Sequence, residues 1–193
     1  MPVRIESVCP SVKLIYLVRD PIERTISHYR GSRRDGREQQ SFEAAVADVD
    51  TRNYVLTSRY HFQLQRYLER FSGEDLLVVT AEELDSAPTS TLRTIYRFLD
   101  VDPAFENQRV GRRFNDSVGK TKLAPWTRWL SRRVPQPLKD WARPYLPLRW
   151  LSGERVPRPE VSATVRARLA EAFRPDVEVL QNLTGHDFNA WSV

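Results

Sequence analysis

The segment KLIYLVRDPIERTISHYR, residues 13–30, decides the fold because it joins a buried strand to a helix at a charged turn. Residues 13–18 form a short apolar run rich in β-branched and aromatic side chains, which predicts a strand buried on both faces. Asp20 is a typical helix N-cap and Pro21 a typical first helical residue, so a helix is expected to begin there. The order of strand, turn and helix indicates an α/β protein with a central parallel sheet flanked by helices.

Arg19 and Ser27 make this junction a candidate anion site. Arg19 is expected at the carboxyl end of the strand, where open α/β sheets place their ligands. Ser27 follows about two turns into the helix, at a rise of about 1.5 Å per residue. A guanidinium fork with a hydroxyl suits a terminal phosphate. The alternative interpretation is an ordinary strand-to-helix turn with surface arginines.

The same residues resemble the 3'-phosphate-binding motif of the sulfotransferases that use 3'-phosphoadenosine 5'-phosphosulfate (PAPS). That motif runs Arg-x-Pro, Arg, Ser and Tyr, and the matching positions here are Arg19, Pro21, Arg24, Ser27 and Tyr29. The resemblance implies that Arg19 and Ser27 bind the 3'-phosphate of PAPS or of 3',5'-ADP. It also implies that Arg24 and Tyr29 support the helix. A P-loop-like sulfotransferase fold, with PAPS as co-substrate and no metal, is expected on the same basis.

Later segments follow the order found in the bacterial and heparan-type members of that family. A helix over 60–71 is predicted to lead to a second buried strand over 75–80, followed by Glu82, Glu83 and Leu84. A further helix is predicted over 88–99, ending in the segment FLDVDPAF. Two amphipathic helices, 161–173 and 175–183, are expected before Gly185. The order of these pieces carries the resemblance, because each piece alone is common.

One expected motif of the family is not found in the sequence. The resemblance implies that a loop of the Pro-Lys-x-Gly-Thr type holds the 5'-phosphosulfate through backbone amides and a lysine. None of the four lysines is followed two residues later by glycine: Lys13, Lys120, Lys122 and Lys139. The chain therefore resembles the C-terminal two thirds of such a domain, N-terminally incomplete, with either a misplaced start or a shortened gene. We expect it to transfer sulfate poorly or not at all by itself. Because apolar sheet surface over 13–18 and 75–80 would be uncovered, we also expect it to self-associate, to aggregate or to need a partner.

The composition indicates a single globular domain over 1–193. The chain of 193 residues is long enough for a core, and no apolar run approaches the roughly 18 residues of a membrane span. The first 18 residues lack the features of a signal peptide, so a cytoplasmic location is expected. The single cysteine, Cys9, excludes an intramolecular disulfide and a cysteine-based zinc cluster, and it is expected to be buried or partly buried.

Positive charge is concentrated in a Trp- and Pro-rich segment, residues 120–150. Eight basic residues and one acid give this segment a charge of +7, whereas the whole chain carries +5. Such a surface suits an anionic acceptor or an acidic membrane; a covering loop with packed tryptophans is the alternative. No established nucleic-acid motif accompanies it, so nucleic acid is not an expected partner. A second basic group, in 109–120, is either a nucleotide-covering loop or a solvated one.

The expected function is transfer of a sulfo group from PAPS to a hydroxyl or amine acceptor. The acceptor is a carbohydrate, a lipid or a small molecule, and this chain is expected to carry the 3'-phosphate half of the donor site. The catalytic base is not assigned, because His28, His61 and His186 are more typical of structural or surface positions. Two alternatives stay open: a catalytically inactive nucleotide-binding or scaffolding remnant, and a peripheral module that binds membrane or another anionic ligand.

Overall fold

The structure is a computed structural model of the chain. It describes residues 2–50, 53–105 and 156–193, together with the backbone of 121–123 and 152–155. Most of the basic segment 120–150, and the basic positions 109–120, lie outside the described residues.

Eight α-helices, four strands and one 3-10 turn are found in the described part of the chain. The helices are α1 (Pro2–Val8), α2 (Pro21–Arg34), α3 (Phe42–Ala45), α4 (Asn53–Leu56), α5 (Tyr60–Leu68), α6 (Ala81–Ser86), α7 (Pro88–Phe98) and α8 (Ala163–Thr184). The strands are β1 (Leu14–Val18), β2 (Leu76–Thr80), β3 (Thr121–Leu123) and β4 (Ser152–Arg155), and the 3-10 turn covers Gly73–Asp75. The helices predicted over 60–71 and 88–99 are confirmed with slightly shorter bounds.

A parallel pair of strands, β1 and β2, positions the predicted anion site. The register runs from Leu14 opposite Leu76 to Val18 opposite Thr80. The chain between the two strands passes through α2, α3, α4 and α5, as a parallel connection requires. β3 and β4 form a separate antiparallel pair. The predicted α/β class with a parallel sheet is confirmed.

The prediction that the first strand is buried on both faces is wrong. Tyr16 and Val18 pack into the core, but Ile15 is 42% exposed and Leu17 is 55% exposed. Successive strand side chains point to opposite faces, so β1 buries one face and presents apolar side chains to solvent on the other. An apolar run therefore does not establish that both faces of a strand are covered, and the exposed face agrees with the expectation of uncovered sheet surface.

Local capping explains why the helices begin where they do. Asp20 accepts hydrogen bonds from the backbone N–H groups of Ile22 and Glu23, at 2.8 and 3.0 Å, and Pro21 opens α2. Thr80 and Glu83 form a reciprocal capping box at the start of α6. These contacts use side chains that the sequence places within three residues of each helix start.

The prediction of two helices divided at Pro175 is also wrong, because α8 runs unbroken from Ala163 to Thr184. Pro175 lacks the N–H that would reach the carbonyl of Glu171, and both residues lie on the exposed side of the helix. Water can therefore solvate the freed carbonyl there. The buried stripe of α8 continues across the proline: Val165, Leu169, Phe173, Val177 and Leu180. As predicted, Gly185 ends the helix, in a left-handed conformation with φ 66°.

α8 connects two buried clusters that together form the core. Its first half packs with α2 and α3, where Ile22, Ile26 and Phe42 are buried. Its second half packs with β1, β2 and α5 and with the C-terminal tail, through Val177 and Leu180. The one helix thus fixes α2 and the sheet relative to each other, and α2 carries one of the two predicted phosphate ligands.

The structure also shows the exposure of the single cysteine and the character of the described helices. Cys9, at the end of the first helical segment, is exposed, so the expectation of a buried or partly buried thiol is wrong. Within the described residues, no helix combines the length and apolarity that crossing a membrane requires.

Candidate functional site

Arg19 lies directly after β1, at the carboxyl end of the strand, as predicted. Its backbone N–H donates a hydrogen bond of 3.2 Å to the hydroxyl of Tyr60, the first residue of α5. The residue is half-buried, and it has no ion-pair partner among the described residues. Arg19 is therefore a cation whose backbone is held at the end of the strand and whose charge is not neutralised by an acid among the described residues. Such a group is suited to bind an anion.

Ser27 lies two turns into α2 and is partly exposed. Gly31, one helical turn further on the same face, has open space where a Cβ atom would project. The face of α2 that carries Ser27 is therefore accessible to a ligand. The convergence of Arg19 and Ser27 on one phosphate stays a prediction.

The N-terminus of α2 is already occupied by a side chain. Asp20 accepts from two of the first backbone N–H groups, which are the groups that elsewhere bind phosphate at helix starts. An anionic ligand here must therefore rely on side chains such as Arg19 and Ser27 and not on the helix amides.

The C-terminal tail closes this end of the sheet. The second carboxylate oxygen of Asp20 accepts from the backbone N–H of Ser192 at 2.7 Å and from its hydroxyl at 2.5 Å. Glu82, just after β2, accepts from the backbone N–H of Asp20 at 3.0 Å and from the indole N–H of Trp191 at 3.4 Å. Trp191 stacks on Phe188, with ring centroids 4.2 Å apart.

Sequence reasoning missed this network, which we call the tail network: Asp20, Glu82, Trp191 and Ser192. The sequence identifies Asp20 only as a helix cap and Glu82 only as a residue that follows the second predicted strand. Glu82 and Ser192 lie 62 and 172 positions from Asp20, so no local pattern connects them. The network holds the backbone directly after Arg19, at Asp20.

Tyr60 contributes a second buried polar group next to Arg19. Burial raises the pKa of Tyr60 to about 12 from the ordinary value of 10, and the nearby Arg24 and Arg19 guanidinium groups oppose that rise. Burial also raises the pKa of Tyr16, whose ring meets that of Tyr60 edge to face at 5.8 Å. Both phenols are therefore neutral hydrogen-bonding groups at neutral pH.

Alkaline pH is expected to destabilise the fold through Tyr60. Between about pH 10 and pH 12 the unfolded chain releases the phenolic proton whereas the folded chain keeps it, so the free energy of unfolding falls by about 2–3 kcal/mol. Tyr60→Phe should make that fall shallower, although it removes the acceptor for Arg19 at every pH. Urea unfolding at pH 8, 10 and 11 measures how the free energy of unfolding depends on pH. An equal dependence in parent and variant would show that Tyr60 is not its source.

The contacts of the three histidines involve neither Arg19 nor Ser27 in the described part of the chain. His28 Nδ1 lies 3.2 Å from the hydroxyl of Thr57, and burial, helped by Arg24 and Arg37, lowers the pKa of His28. The backbone N–H of His61 donates to Asp176, and His186 Nε2 lies 3.3 Å from Glu83. No cluster of acids, histidines and cysteine suited to a metal ion occurs among the described residues. The catalytic base stays unassigned.

A family model described as the sulfotransferase domain matches residues 3–118. The chain belongs to the sulfotransferase domain family. The match covers β1, α2, α5, β2 and α7 and therefore includes both predicted phosphate ligands. The resemblance first seen in residues 13–30 is confirmed at the level of the family.

Curated relatives of this sulfotransferase domain include two human proteins. Heparan sulfate glucosamine 3-O-sulfotransferase 3B1 is 28% identical over 194 residues, which cover 97% of this chain and 45% of the relative. Heparan sulfate glucosamine 3-O-sulfotransferase 5 is 32% identical over 113 residues, which cover 53% of this chain and 33% of the relative. The chain spans a third to just under a half of the length of these relatives.

A solved structure supports the fold of the sulfotransferase domain. A sulfotransferase from Alicyclobacillus acidocaldarius superposes with a TM-score of 0.65 and 22% sequence identity. The superposition covers 100% of this chain and 62% of the bacterial chain. The P-loop-like sulfotransferase fold expected from the sequence is thereby confirmed.

Proposed function

We propose that this chain takes part in sulfo transfer from PAPS to a carbohydrate hydroxyl or amine, and that it binds the 3'-phosphate of the donor. Membership of the sulfotransferase domain family supports the reaction. The single observation that carries the proposal is Arg19, which lies at the carboxyl end of β1 with no acidic partner among the described residues. Ser27, on the accessible face of α2, supplies the second ligand.

The chemistry requires positioning more than covalent catalysis. The bond between sulfur and the donor's phosphate oxygen breaks while a bond from sulfur to the acceptor oxygen or nitrogen forms, which leaves 3',5'-ADP. The acceptor proton passes to a base. Arg19 and Ser27 act far from the sulfur: they fix the nucleotide so that the sulfo group stands in line with the acceptor. In this proposal the 5'-phosphosulfate is held by groups other than Arg19 and Ser27.

A glycosaminoglycan-type acceptor is the best supported class. The curated relatives are named for glucosamine in heparan sulfate, and the net charge of +5 on this chain favours an acidic sugar chain over a neutral one. Incubating the protein with radiolabelled PAPS and N-sulfated heparan oligosaccharides tests the acceptor directly, with an uncharged oligosaccharide of the same length as the comparison.

Replacing Arg19 by glutamine is expected to weaken 3',5'-ADP binding about 10- to 100-fold, because a charge-assisted hydrogen bond is lost. Ser27→Ala should cost less, about two- to tenfold, because its hydroxyl is a neutral donor. Calorimetric titration of 3',5'-ADP measures both.

A matched control for Arg19 is Arg93→Gln, on the exposed side of α7. This variant makes the same chemical change away from the site and should bind 3',5'-ADP as the parent does. Unchanged affinity in folded Arg19→Gln would refute the proposed role, and equal losses in both variants would show that only overall charge matters.

A further inference from the structure

A cavity of about 370 Å³ lies at the amino-terminal ends of β1 and β2. The first residues of the two strands, Leu14 to Tyr16 of β1 and Leu76 of β2, form one side of it, and residues of α2 and α5 form the other. Arg19 follows the opposite, carboxyl end of β1, so the cavity is separate from the strand end that Arg19 occupies. Its volume is in the range of sites for small organic ligands.

Most of the wall of this cavity is apolar. It consists of aliphatic side chains and aromatic rings: Leu14, Ile15, Leu64, Leu76, Tyr16 and Tyr67. Ile15 is 42% exposed, so the described chain leaves part of this apolar wall uncovered. A ligand that covers such surface gains binding free energy in proportion to the apolar area that it removes from water.

The neutral polar side chains of the wall already form hydrogen bonds within the protein. Each donates to a backbone carbonyl: Tyr16 to Tyr60 at 3.4 Å, Thr57 to Asn53 at 2.6 Å and Gln63 to Leu56 at 3.1 Å. A ligand rich in hydroxyl groups would find few free partners here, and polar groups enclosed without partners weaken binding. The cavity therefore favours a ligand with a large apolar part.

Arg24 is the charged residue among those that line the cavity. Its Nη1 donates a hydrogen bond of 3.1 Å to the hydroxyl of Ser58, which is almost fully buried, at 1% exposure. Its guanidinium carbon stands 5.8 Å from the centre of the Tyr60 ring, within the range of a cation–π contact. These contacts hold the side chain without neutralising it, and Arg24 has no carboxylate partner in the described portion of the chain.

We propose that this cavity, which we call the Arg24 cavity, binds a small carboxylate that has an apolar tail. Arg24 binds the carboxylate, because a planar guanidinium matches that group in both geometry and charge. The aliphatic side chains and tyrosine rings of the wall enclose the tail. Fatty acids and arylalkanoic acids share this chemistry. The site does not depend on the proposed function, because neither Arg19 nor the donor nucleotide takes part in it.

The test titrates small probes separately into the 193-residue protein and follows binding by NMR. Octanoate has the charge and the tail, 1-octanol has the tail alone, and acetate has the charge alone. Octanoate is expected to bind at least about tenfold more tightly than 1-octanol, because it adds a charge-assisted hydrogen bond. It should bind at least about 100-fold more tightly than acetate, because each buried methylene strengthens binding about fourfold.

A further probe, 4-phenylbutyrate, distinguishes the two sources of such a carboxylate. Tighter binding than octanoate would identify an arylalkanoic acid as the preferred ligand, and weaker binding would identify a fatty acid. Either order supports the site, provided that the carboxylate binds through Arg24.

Variants of Arg24 test the role of the cation. Arg24→Gln should abolish the preference for octanoate over 1-octanol, whereas Arg24→Lys keeps the charge and should retain part of that preference. Arg66→Gln makes the same chemical change at an exposed position of α5 and should alter nothing. Arg19→Gln should also leave the affinity for octanoate unchanged, because Arg19 lies at the other end of β1.

A change at Gln63 keeps the proposal falsifiable if Arg24→Gln fails to fold. Gln63 is exposed on α5 and borders the cavity, so Gln63→Trp fills the space for the tail without removing the cation. This variant should bind octanoate at least about tenfold more weakly than the parent. An unchanged affinity would show that octanoate binds elsewhere on the protein.

Three other results would overturn the proposal: binding of octanoate by the parent that is no tighter than that of 1-octanol or acetate, an unchanged preference in folded Arg24→Gln, or loss of octanoate binding in Arg19→Gln. The last would place the carboxylate at the predicted phosphate site. Failure of the proposed function has a different signature, since the parent would then bind octanoate through Arg24 but would not bind 3',5'-ADP through Arg19.

Discussion

Replacing Phe173 by alanine is expected to lower the free energy of unfolding by about 3–5 kcal/mol. The side chain is fully buried, at 0% exposure, in the middle of α8. It packs in the cluster that contains Ile22 and Ile26 of α2, so its removal leaves a cavity between two helices that cannot close without moving α2, the helix that carries Ser27. A loss of this size is a large part of the roughly 5–15 kcal/mol that stabilises a typical domain.

Chemical denaturation followed by circular dichroism measures this loss, and Val179→Ala provides the control. Val179 lies on the same helix but is 44% exposed, so its truncation should change stability by no more than about 0.5 kcal/mol. Similar values for the two variants would show that α8 does not carry the core. Weaker 3',5'-ADP binding in Phe173→Ala, measured where it is still folded, would show that α8 also positions α2.

The strand-to-helix junction was predictable because its determinants are local. The apolar run, the cap at Asp20 and Pro21 all lie within eight residues of Val18, and each limits the backbone by itself. The position of Arg19 follows from them, since a residue between a strand and a capped helix has little freedom. Local signals in the sequence are therefore sufficient to place this candidate ligand at the strand end.

The course of α8 was not predictable from the same kind of signal. Proline inside a helix ordinarily ends it, and that local rule divides the segment at Pro175. Burial of Phe173 on one side of the proline and Val177 on the other overrides the rule, because both side chains belong to one continuous stripe. Tertiary packing therefore keeps α8 continuous. The apolar periodicity on both sides of the proline was the feature of the sequence that could have predicted this.

The environment of the sheet was likewise beyond local reasoning. Ile15 and Leu17 have the composition of buried strand residues, yet both are substantially exposed. The polar contacts that surround Arg19 join residues far apart in the chain, such as Asp20 and Ser192. Identifying them requires knowing which distant segment returns to the end of β1, and residue patterns do not contain that information.

Asp20→Ala is expected to destabilise the protein by about 4–7 kcal/mol and to weaken 3',5'-ADP binding. The change removes a helix cap, worth about 1 kcal/mol, and the two hydrogen bonds from Ser192 to a carboxylate, each worth about 1.5–3 kcal/mol. Asp20 is buried, at 7% exposure, so the N–H groups it leaves behind are not readily hydrated. Urea unfolding measures the first effect, and calorimetric titration of 3',5'-ADP measures the second.

Asp35→Ala is the matched control for this change, because Asp35 lies at the other end of α2 and pairs only with surface arginines, Arg34 and Arg37, in the described structure. Surface pairs contribute little, so this variant should lose no more than about 1 kcal/mol. Ser192→Ala should fall between the two, since the backbone bond to Asp20 survives. If Asp20→Ala proves no more harmful than Asp35→Ala, the tail network does not hold the end of β1. If the stability falls as expected but nucleotide binding stays the same, Asp20 stabilises the fold without positioning Arg19.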